Sequence, residues 1–219
     1  MKLPEAVLFD FDGVLVDSAA YHFHMWSAAF EQLFGRPVPE YRHKPIRGLA
    51  SHEIASVITG LAGVPDRADE LYRSRLVTIA NSSDAPDPAP GALNFTGLLD
   101  DYAIPYAVVS NAPSVYVRSA CKALGYAPAV RLGVDDCEGR HKPDPWPYLH
   151  AAGRLGFETG GLTSLLVVED SETGVRAGAA AGIPVLGLIR DGDADLLFDA
   201  GARYVIPDLT EIGTVISGL

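Results

Sequence analysis

The stretch AVLFDFDGVLVDSAAYHF, residues 6–23, begins as a strand and continues towards a helix. Its first four residues are all apolar, as is typical of a short strand that is buried on both faces. Asp10 and Asp12 follow, two residues apart, and Gly13 comes directly after them. Two carboxylates this close repel each other, so the pattern predicts a cation between them at the end of the strand.

The composition is that of an ordinary globular protein, with 48% hydrophobic and 21% charged residues among 219. The net charge of −11 argues against binding nucleic acid or an anionic membrane through a broad basic face. Binding of a small phosphorylated metabolite is compatible with this net charge, because one or two local cations are enough to bind a phosphate. Two cysteines, and no pattern of a secretion signal or membrane span, indicate a cytoplasmic protein, and we expect a monomer.

Short apolar runs alternate with helical patterns over most of the chain. This alternation predicts an α/β fold, a doubly wound Rossmann-like parallel sheet with helices on both sides. The predicted strands are residues 6–9, 106–110, 129–134, 165–169, 184–189 and 204–206. The predicted helices between them are residues 114–125, 146–156 and 173–182, each closed by a glycine.

Residues 17–85 interrupt this alternation. They contain no strand pattern but three helical patterns, at residues 18–35, 51–63 and 66–81. A proline-rich connector follows at residues 84–91, and we expect the sheet to resume near Leu93. The chain is therefore predicted to form two domains, a core of residues 1–16 and 86–219 and an inserted helical domain of residues 17–85.

Polar side chains stand where the predicted strands end. Ser110 and Asn111 follow the second strand, Lys142 lies in the loop after the third, and Glu169 and Asp170 end the fourth. Because the carboxyl ends of parallel strands meet at one edge of a sheet, we expect these side chains to join the two aspartates of the first strand. Oxygen-only ligands suit Mg²⁺, and the ammonium, hydroxyl and amide groups suit an anion held against it. The N-terminus of the helix after Asn111 is expected to point at the same anion.

Each of these elements alone has an ordinary explanation. An Asp-x-Asp-Gly sequence also occurs in turns and in fragments of calcium loops, and a Ser-Asn pair before a helix is often only its cap. A single lysine is usually on the surface, and a Glu-Asp pair is often a solvated turn. Their position at one edge of one predicted sheet favours a shared site over four separate explanations.

Four segments carry a resemblance to a known family: DFDGVLVDS at residues 10–18, VVSNA at 108–112, KPDP at 142–145 and VVEDSETG at 167–174. They resemble the four motifs of the haloacid dehalogenase-like hydrolase superfamily, and the helical insertion resembles its subclass I cap. The segments DSAAYHFHMW and RGLASHE resemble the branch of the β-phosphoglucomutases and sugar-phosphate phosphatases.

The resemblance implies a role for each motif residue. Asp10 is the expected nucleophile, which forms an aspartyl-phosphate. Asp12 is the expected acid and base, and we expect the crowded negative site to favour its neutral form. Ser110, Asn111 and Lys142 are expected to hold the phosphoryl oxygens.

The implied cofactor is Mg²⁺. Its expected ligands are Asp10, the backbone carbonyl of Asp12, and Asp170, with Glu169 as a direct or water-mediated further ligand.

The cap is expected to determine which substrate is bound, because the four motifs only recognise phosphate. His22, just past the first motif, and Arg47, in the RGLASHE segment, are expected to bind substrate from the cap. The alternatives are a packed or solvated histidine and a surface arginine.

The acid/base aspartate implies phosphomonoester chemistry, so we expect a Mg²⁺-dependent phosphatase acting on a small phosphomonoester, in the first place a sugar phosphate. A β-phosphoglucomutase-like mutase is the alternative. The mutase branch uses a cap arginine for a second phosphate, and Ser51 stands at that position here. More distant alternatives are a receiver-like phospho-acceptor, which would be about half this length, and an inactive binding module.

Overall fold

The computed structural model describes residues 3–40, 46, 49–190 and 194–213. Arg47, which is expected to bind substrate from the cap, lies outside these residues. Within the described ranges, no helix is both long enough and apolar enough to cross a membrane.

The described residues form short strands. They are β1 Ala6–Phe9, β2 Val16–Asp17, β3 Asp87–Pro88, β4 Tyr106–Val109, β5 Val130–Leu132, β6 Leu165–Glu169, β7 Val185–Leu188 and β8 Tyr204–Ile206. All but β2 and β3 belong to one parallel sheet, in the order β5-β4-β1-β6-β7-β8. The predicted doubly wound α/β fold is confirmed.

Strand β1 lies near the centre of this sheet, between β4 and β6. Phe9 is opposite Val108 on one side and Val168 on the other. All four residues of β1 are fully buried, as expected for a strand covered on both faces. The register brings the carboxyl ends of β1, β4 and β6 to one edge, which is where the polar side chains of the predicted site follow.

Helices connect and cover the strands. They are α1 Ala19–Phe34, α2 Ser51–Leu61, α3 Ala68–Asn81, α4 Ala92–Asp101, α5 Ser114–Leu124, α6 Trp146–Arg154, α7 Glu172–Ala180 and α8 Ala194–Ala200. The sequence predicts all of these except α4 and α8. The expectation that the sheet resumes near Leu93 is wrong, because α4 comes before β4. This helix buries Ala92, Phe95 and Leu99 at helical spacing, in a segment of only ten residues.

The helical insertion lies between β1 and β4, as predicted, and consists of α1, α2 and α3. These helices pack around their own apolar cluster, which includes Trp26, Phe30, Ile58 and Leu71. Phe23 of α1 does not join this cluster and is 42% exposed. The division of the chain into two domains at residues 17 and 85 stays a prediction.

The two segments that join the insertion to the sheet pair with each other. Val16 in β2 lies opposite Pro88 in β3, and Asp17 lies opposite Asp87, in an antiparallel arrangement. Strands of two residues are too short to give an alternating pattern, so the sequence predicts only a proline-rich connector there. The pairing holds both connections of the insertion side by side.

Candidate active site

The strand ends meet around a cavity of about 480 Å³. Six of the residues predicted for the core site line it: Asp10, Asp12, Ser110, Asn111, Lys142 and Asp170. Glu169 is fully buried and does not line the cavity, but it contacts Lys142, which does. His22 lines the same cavity from α1, so the structure places it at the site as expected.

Lys142 is buried among three acceptors. Its Nζ atom lies 2.6 Å from Asp10 Oδ1, 2.6 Å from Glu169 Oε1 and 2.8 Å from the carbonyl oxygen of Val109. Burial alone would lower the pKa of this ammonium group, but the carboxylates of Asp10 and Glu169 raise it above its usual value. Lys142 is therefore a permanent positive charge beside the predicted nucleophile.

Glu169 receives donors on both of its carboxylate oxygens. The hydroxyl of Tyr148 donates to Oε1 at 2.7 Å, beside Lys142. The hydroxyl of Ser171 and the backbone amide of Asp170 donate to Oε2, at 3.1 and 3.2 Å. Nothing in the sequence pattern marks Tyr148, which lies on the buried face of α6. We call Asp10, Lys142, Glu169 and Tyr148 the core chain.

The residues of the predicted metal site fit Mg²⁺. One carboxylate oxygen each of Asp10, Glu169 and Asp170 lies within 4.8 Å of the others, and oxygen-only donors suit this ion. Burial raises the pKa of Asp10 well above its usual range, Lys142 opposes this, and the neighbouring carboxylates add to it. A divalent cation would favour the ionised nucleophile. Since both oxygens of Glu169 already hold donors, Asp10 and Asp170 are better placed as direct ligands.

Gly13 has to be a glycine at this site. A Cβ atom on Gly13 would come within 2.0 Å of Asp170 Oδ2, and its φ of +86° is a conformation that other residues rarely adopt. The backbone after Asp12 therefore runs in direct contact with Asp170, and a side chain there would push the carboxylate out of the site.

Asp12 is bound by side chains of both α1 and α5. His22 Nε2 lies 2.7 Å from Asp12 Oδ1, and the hydroxyl of Tyr116 donates to the same oxygen at 2.8 Å. Burial alone would raise the pKa of Asp12, but the charge and hydrogen bond of His22, with the hydroxyls of Ser18 and Tyr116, lower it to about 2. The expectation that the site favours a neutral Asp12 is wrong, because these donors outweigh the effect of burial.

Arg75 extends this contact into the cap. Its Nη2 atom lies 3.0 Å from His22 Nδ1, and its Nη1 atom donates to the Ser51 hydroxyl at 3.0 Å. Its guanidinium carbon lies 4.4 Å from the ring centre of Trp26. We call Asp12, His22, Arg75 and Ser51 the cap chain.

The direction of hydrogen bonding in the cap chain follows from chemistry. A guanidinium group can only donate, so the Nδ1 atom of His22 accepts from Arg75. The proton of a neutral imidazole is then on Nε2, which donates it to Asp12.

The sequence reading missed Arg75, although a signal for it exists. Leu71, Arg75 and Ile79 are the buried residues of α3, each four positions apart. An arginine in the middle of an apolar face at this spacing is unusual, because charged side chains are rarely buried without partners. Arg75 is 1% exposed yet lines the cavity, so its position on α3 marks a functional candidate.

Ser110 and Asn111 shape the loop around Lys142. The side-chain amide of Asn111 donates to the backbone carbonyl of Lys142 at 3.3 Å, and its Oδ1 accepts from the Lys142 backbone amide at 3.1 Å. The hydroxyl of Ser110 accepts from the amide of Ala112 at 3.0 Å and lies 3.5 Å from Asp12 Oδ2. Both line the cavity, and their role in binding phosphoryl oxygens stays a prediction.

The N-terminus of α5 is occupied in part by another carboxylate. Asp135 Oδ1 accepts from the backbone amide of Ser114 at 2.6 Å, and the Ser114 hydroxyl donates to the second oxygen of the same side chain. The sequence predicts that this helix end faces the bound anion. Because the amide of Ser114 already donates to Asp135, this amide is not available to the anion in the structure.

The core contributes one wall of the cavity that the four motifs do not include. Leu188, Ile189 and Arg190, at the end of β7, line it together with Leu196 and Leu197 of α8. The expectation that the cap alone shapes the space beyond the phosphate is therefore incomplete.

Known proteins resemble this chain over most of its length. A phosphoglycolate phosphatase from Neisseria meningitidis is 31% identical over 222 residues, which cover 95% of this chain and 92% of that protein. A validoxylamine A 7′-phosphate phosphatase from Streptomyces hygroscopicus is 28% identical over 225 residues, which cover 95% of this chain and 95% of that protein. A β-phosphoglucomutase structure from Clostridium difficile has a TM-score of 0.74 at 18% identity, over 99% of this chain and 98% of that one. That likeness shows the fold alone.

A family model described as haloacid dehalogenase-like hydrolase matches residues 4–182. This range includes all four motif segments and the helical insertion. The resemblance predicted from the motifs is confirmed: this chain belongs to the haloacid dehalogenase-like hydrolase family.

Proposed function

We propose that the chain is a Mg²⁺-dependent phosphatase, which hydrolyses a small phosphomonoester, in the first place a sugar phosphate, through an aspartyl-phosphate on Asp10. The observation that carries this proposal is the placement of Asp10 and Asp12 at one cavity, with opposite surroundings. Asp10 is bound by the Lys142 ammonium, and Asp12 is bound by His22 and Tyr116. Two carboxylates with separate environments can serve as nucleophile and as acid and base.

In the first step, Asp10 attacks phosphorus. Lys142 holds Asp10 Oδ1, so Oδ2 is the oxygen that forms the new bond to phosphorus as the bond to the leaving oxygen breaks. The leaving oxygen takes a proton from Asp12. The contacts that hold the pKa of Asp12 near 2 oppose this acid role, so they must loosen when substrate binds.

In the second step, water attacks the phosphorus of the aspartyl-phosphate. Asp12 accepts the proton of that water, and the bond from phosphorus to Asp10 Oδ2 breaks to release phosphate. An ionised Asp12, as its present contacts favour, is the form that this step needs. Lys142 remains beside Asp10 throughout and stabilises the negative charge.

The metal site would be formed by Asp10, Asp170 and the carbonyl of Asp12, with Glu169 acting through water. When bound, Mg²⁺ would neutralise negative charge on the phosphoryl oxygens and on the carboxylates. The close approach of Asp10, Glu169 and Asp170 supports this assignment.

The enzyme class agrees with the relatives. Proteins that match most of this chain are described as phosphatases of phosphoglycolate, 6-phosphogluconate and 2-deoxyglucose 6-phosphate. Together with the family assignment, they confirm the prediction of a phosphatase rather than a receiver-like or inactive module. Their substrates share a phosphomonoester and differ in the alcohol that leaves.

The test is phosphate release from a panel of sugar phosphates, polyol phosphates, phosphoglycolate and nucleotides. Asp10→Asn should abolish release from every ester, whereas Asp101→Asn, an exposed aspartate on α4, should leave it unchanged. Removal of metal with EDTA should stop turnover, and added Mg²⁺ should restore it. Wild-type rates in Asp10→Asn would refute the nucleophile, and full activity in EDTA would refute the metal role.

A mutase is the second candidate, and Arg75 favours it. The absence of an arginine at position 51 argues for a phosphatase, but Arg75 reaches the Ser51 hydroxyl from α3. A guanidinium group therefore lies next to the position where the mutase branch binds a second phosphate. Incubation with a hexose 1-phosphate and a trace of hexose bisphosphate distinguishes the two: a phosphatase releases inorganic phosphate, and a mutase accumulates the 6-phosphate.

We also propose a cytoplasmic monomer that acts on a small phosphorylated metabolite and binds neither nucleic acid nor membrane. The net charge of −11 supports the lack of a broad basic face. Size-exclusion chromatography with light scattering tests the oligomeric state.

A further inference from the structure

Arg190 stands on the wall of the cavity that the core provides, directly after β7. It is half-buried, and its Nε atom donates to the backbone carbonyl of Gly13 at 2.6 Å. Gly13 directly follows Asp12, the predicted proton donor to the leaving oxygen. The guanidinium group is therefore fixed next to the part of the cavity that the leaving alcohol has to occupy.

The chemistry around Arg190 differs from that around Lys142. Lys142 is paired with two carboxylates. In the described part of the chain, no carboxylate lies within ion-pair distance of Arg190, and the bond to Gly13 is the hydrogen bond that its side chain makes. Its effect on the pKa of Asp208 is weaker than that of the hydrogen bonds between Asp208 and Thr210. A half-buried cation of this kind on a cavity wall is suited to an anionic ligand.

The fork of the guanidinium group defines the ligand more closely. Arginine has five N–H donors, and the bond from Nε to Gly13 uses one of them. The two Nη atoms form a planar edge that matches the two oxygens of a carboxylate. Among the described residues, the lining contains one further arginine, Arg75, which already donates from both Nη atoms to Ser51 and His22.

We propose that Arg190 binds a carboxylate on the leaving alcohol, so that this phosphatase prefers phosphomonoesters of hydroxy acids to those of the matching neutral alcohols. The proposal rests on the proposed function and names its substrate class. Arg190 contacts the substrate and determines specificity, and it takes no part in transferring the phosphoryl group.

Two pairs of esters test this preference. 6-Phosphogluconate and glucitol 6-phosphate differ only by a carboxylate in place of a hydroxymethyl group, and so do phosphoglycolate and 2-hydroxyethyl phosphate. The wild-type protein should hydrolyse the acid of at least one pair with a kcat/KM about tenfold or more above that of the alcohol. The two chain lengths cover a short and a long distance from phosphorus to the guanidinium group.

The variant Arg190→Gln should lower kcat/KM for the preferred acid by about 10- to 100-fold, mostly through KM, and change that of its alcohol by about threefold or less. Arg190→Lys keeps the charge without the fork, so it should recover only part of the loss. Arg203→Gln, an exposed arginine on the core, is the matched control and should change neither value.

Three results would overturn the proposal. The wild-type protein could show no preference within either pair, Arg190→Gln could leave the preference intact, or it could lower acid and alcohol equally, as expected of a residue that only supports Gly13. Hydrolysis of 4-nitrophenyl phosphate by the wild-type protein separates these results from failure of the proposed function. If no ester is hydrolysed, the proposed function fails and this proposal fails with it.

Discussion

The core chain begins at Asp10 and the cap chain at Asp12, both just after β1. Each contains one buried cation, but the groups around the two cations differ. In the core chain, Lys142 binds the carboxylates of Asp10 and Glu169. In the cap chain, Arg75 contacts an imidazole, a hydroxyl and the indole ring of Trp26. The first cation lies against the proposed nucleophile, whereas the second connects the proposed acid/base aspartate, through His22, to Ser51 on the cavity wall.

The pKa values of Asp10 and Asp12 shift in opposite directions. Burial raises the pKa of Asp10 well above its usual range, whereas the donors around Asp12 lower its pKa to about 2. Two carboxylates two residues apart therefore have different environments because of partners that lie far away in the chain. We expect changes in the core chain to reduce the rate of the chemical step for every substrate. Changes at Arg75 and Ser51, the far end of the cap chain, should have effects that depend on the substrate.

The largest effect is expected from Lys142→Met. The variant leaves Asp10 and Glu169 buried without their shared counter-charge, so kcat for 4-nitrophenyl phosphate should fall about 10³-fold. Removing one partner of a buried ion pair should also lower the free energy of unfolding by about 3–5 kcal/mol. Steady-state kinetics and urea unfolding measure both, with Lys122→Met, an exposed lysine of α5, as control. A kcat within tenfold of wild type would show that the core chain does not serve the chemical step.

Arg75→Met should have a smaller and more selective effect. We expect kcat/KM for hexose 6-phosphates to fall about 10- to 100-fold, because Ser51 and His22, which line the cavity, lose the charged donor that holds them. 4-Nitrophenyl phosphate, which has no sugar hydroxyls, should lose about threefold or less. Arg73→Met, an exposed arginine on the same helix, is the control. Equal losses for both kinds of ester would remove the distinction between the two chains.

The sequence predicts which core residues meet at the cavity, because these residues directly follow strands. Asp10, Ser110 and Glu169 each stand at or just after a strand that is recognisable as a short apolar run, and a parallel sheet brings such ends together. The same logic cannot find Tyr148, whose buried hydroxyl is evident only once α6 packs on the sheet. Local patterns give the position of a strand end but not which distant hydroxyl points at it.

The cap was predicted less completely for the same reason. His22 was found through its position after the first motif, but Arg75 is 53 residues further along, and only helix packing places it beside His22. Arg190 was missed because it follows a strand that carries none of the four motifs. The pairing of β2 with β3 was missed because two residues show no alternation.

The opposite pKa shifts of the two aspartates predict opposite effects on stability in the absence of metal. Asp12 has a folded pKa that its hydrogen-bond donors lower from the usual 3.8, so its contribution to stability is present above pH 4 and is lost as the pH falls towards 2. Asp12→Asn should therefore lower the free energy of unfolding at pH 7, with a difference that narrows below pH 4. Asp10 has a raised pKa, so its contribution is present at low pH and lost as the pH rises. Asp10→Asn should stabilise the protein at pH 7.

Urea unfolding at pH 7 and pH 3 in EDTA measures both variants against the wild-type protein. Added Mg²⁺ should stabilise the wild-type protein more than Asp10→Asn, because the carboxylate is an expected ligand. If both variants destabilise the protein equally at pH 7, the aspartates do not have the opposite environments that the two chains imply.

The smallest effects are expected from single tyrosine hydroxyls. Tyr148→Phe removes one donor from Glu169, which keeps Lys142, and Tyr116→Phe removes one donor from Asp12, which keeps His22. Each should lower the free energy of unfolding by about 1 kcal/mol, because the carboxylate remains hydrogen-bonded. Tyr126→Phe is the matched control, since it removes a buried hydroxyl that donates to the carbonyl of Leu15 at 2.7 Å, away from both chains.

Activity should separate the three tyrosine variants although their stability does not. Tyr116→Phe should raise the pKa of Asp12, because its hydroxyl stabilises the ionised form. The first step needs a protonated Asp12, so the basic limb of kcat/KM should move to higher pH. Tyr148→Phe should lower kcat by about threefold without moving that limb, because its effect passes through Glu169 and Lys142. Tyr126→Phe should change neither quantity. If it lowers kcat as much as Tyr148→Phe does, the tyrosines act through packing, and the core chain ends at Glu169.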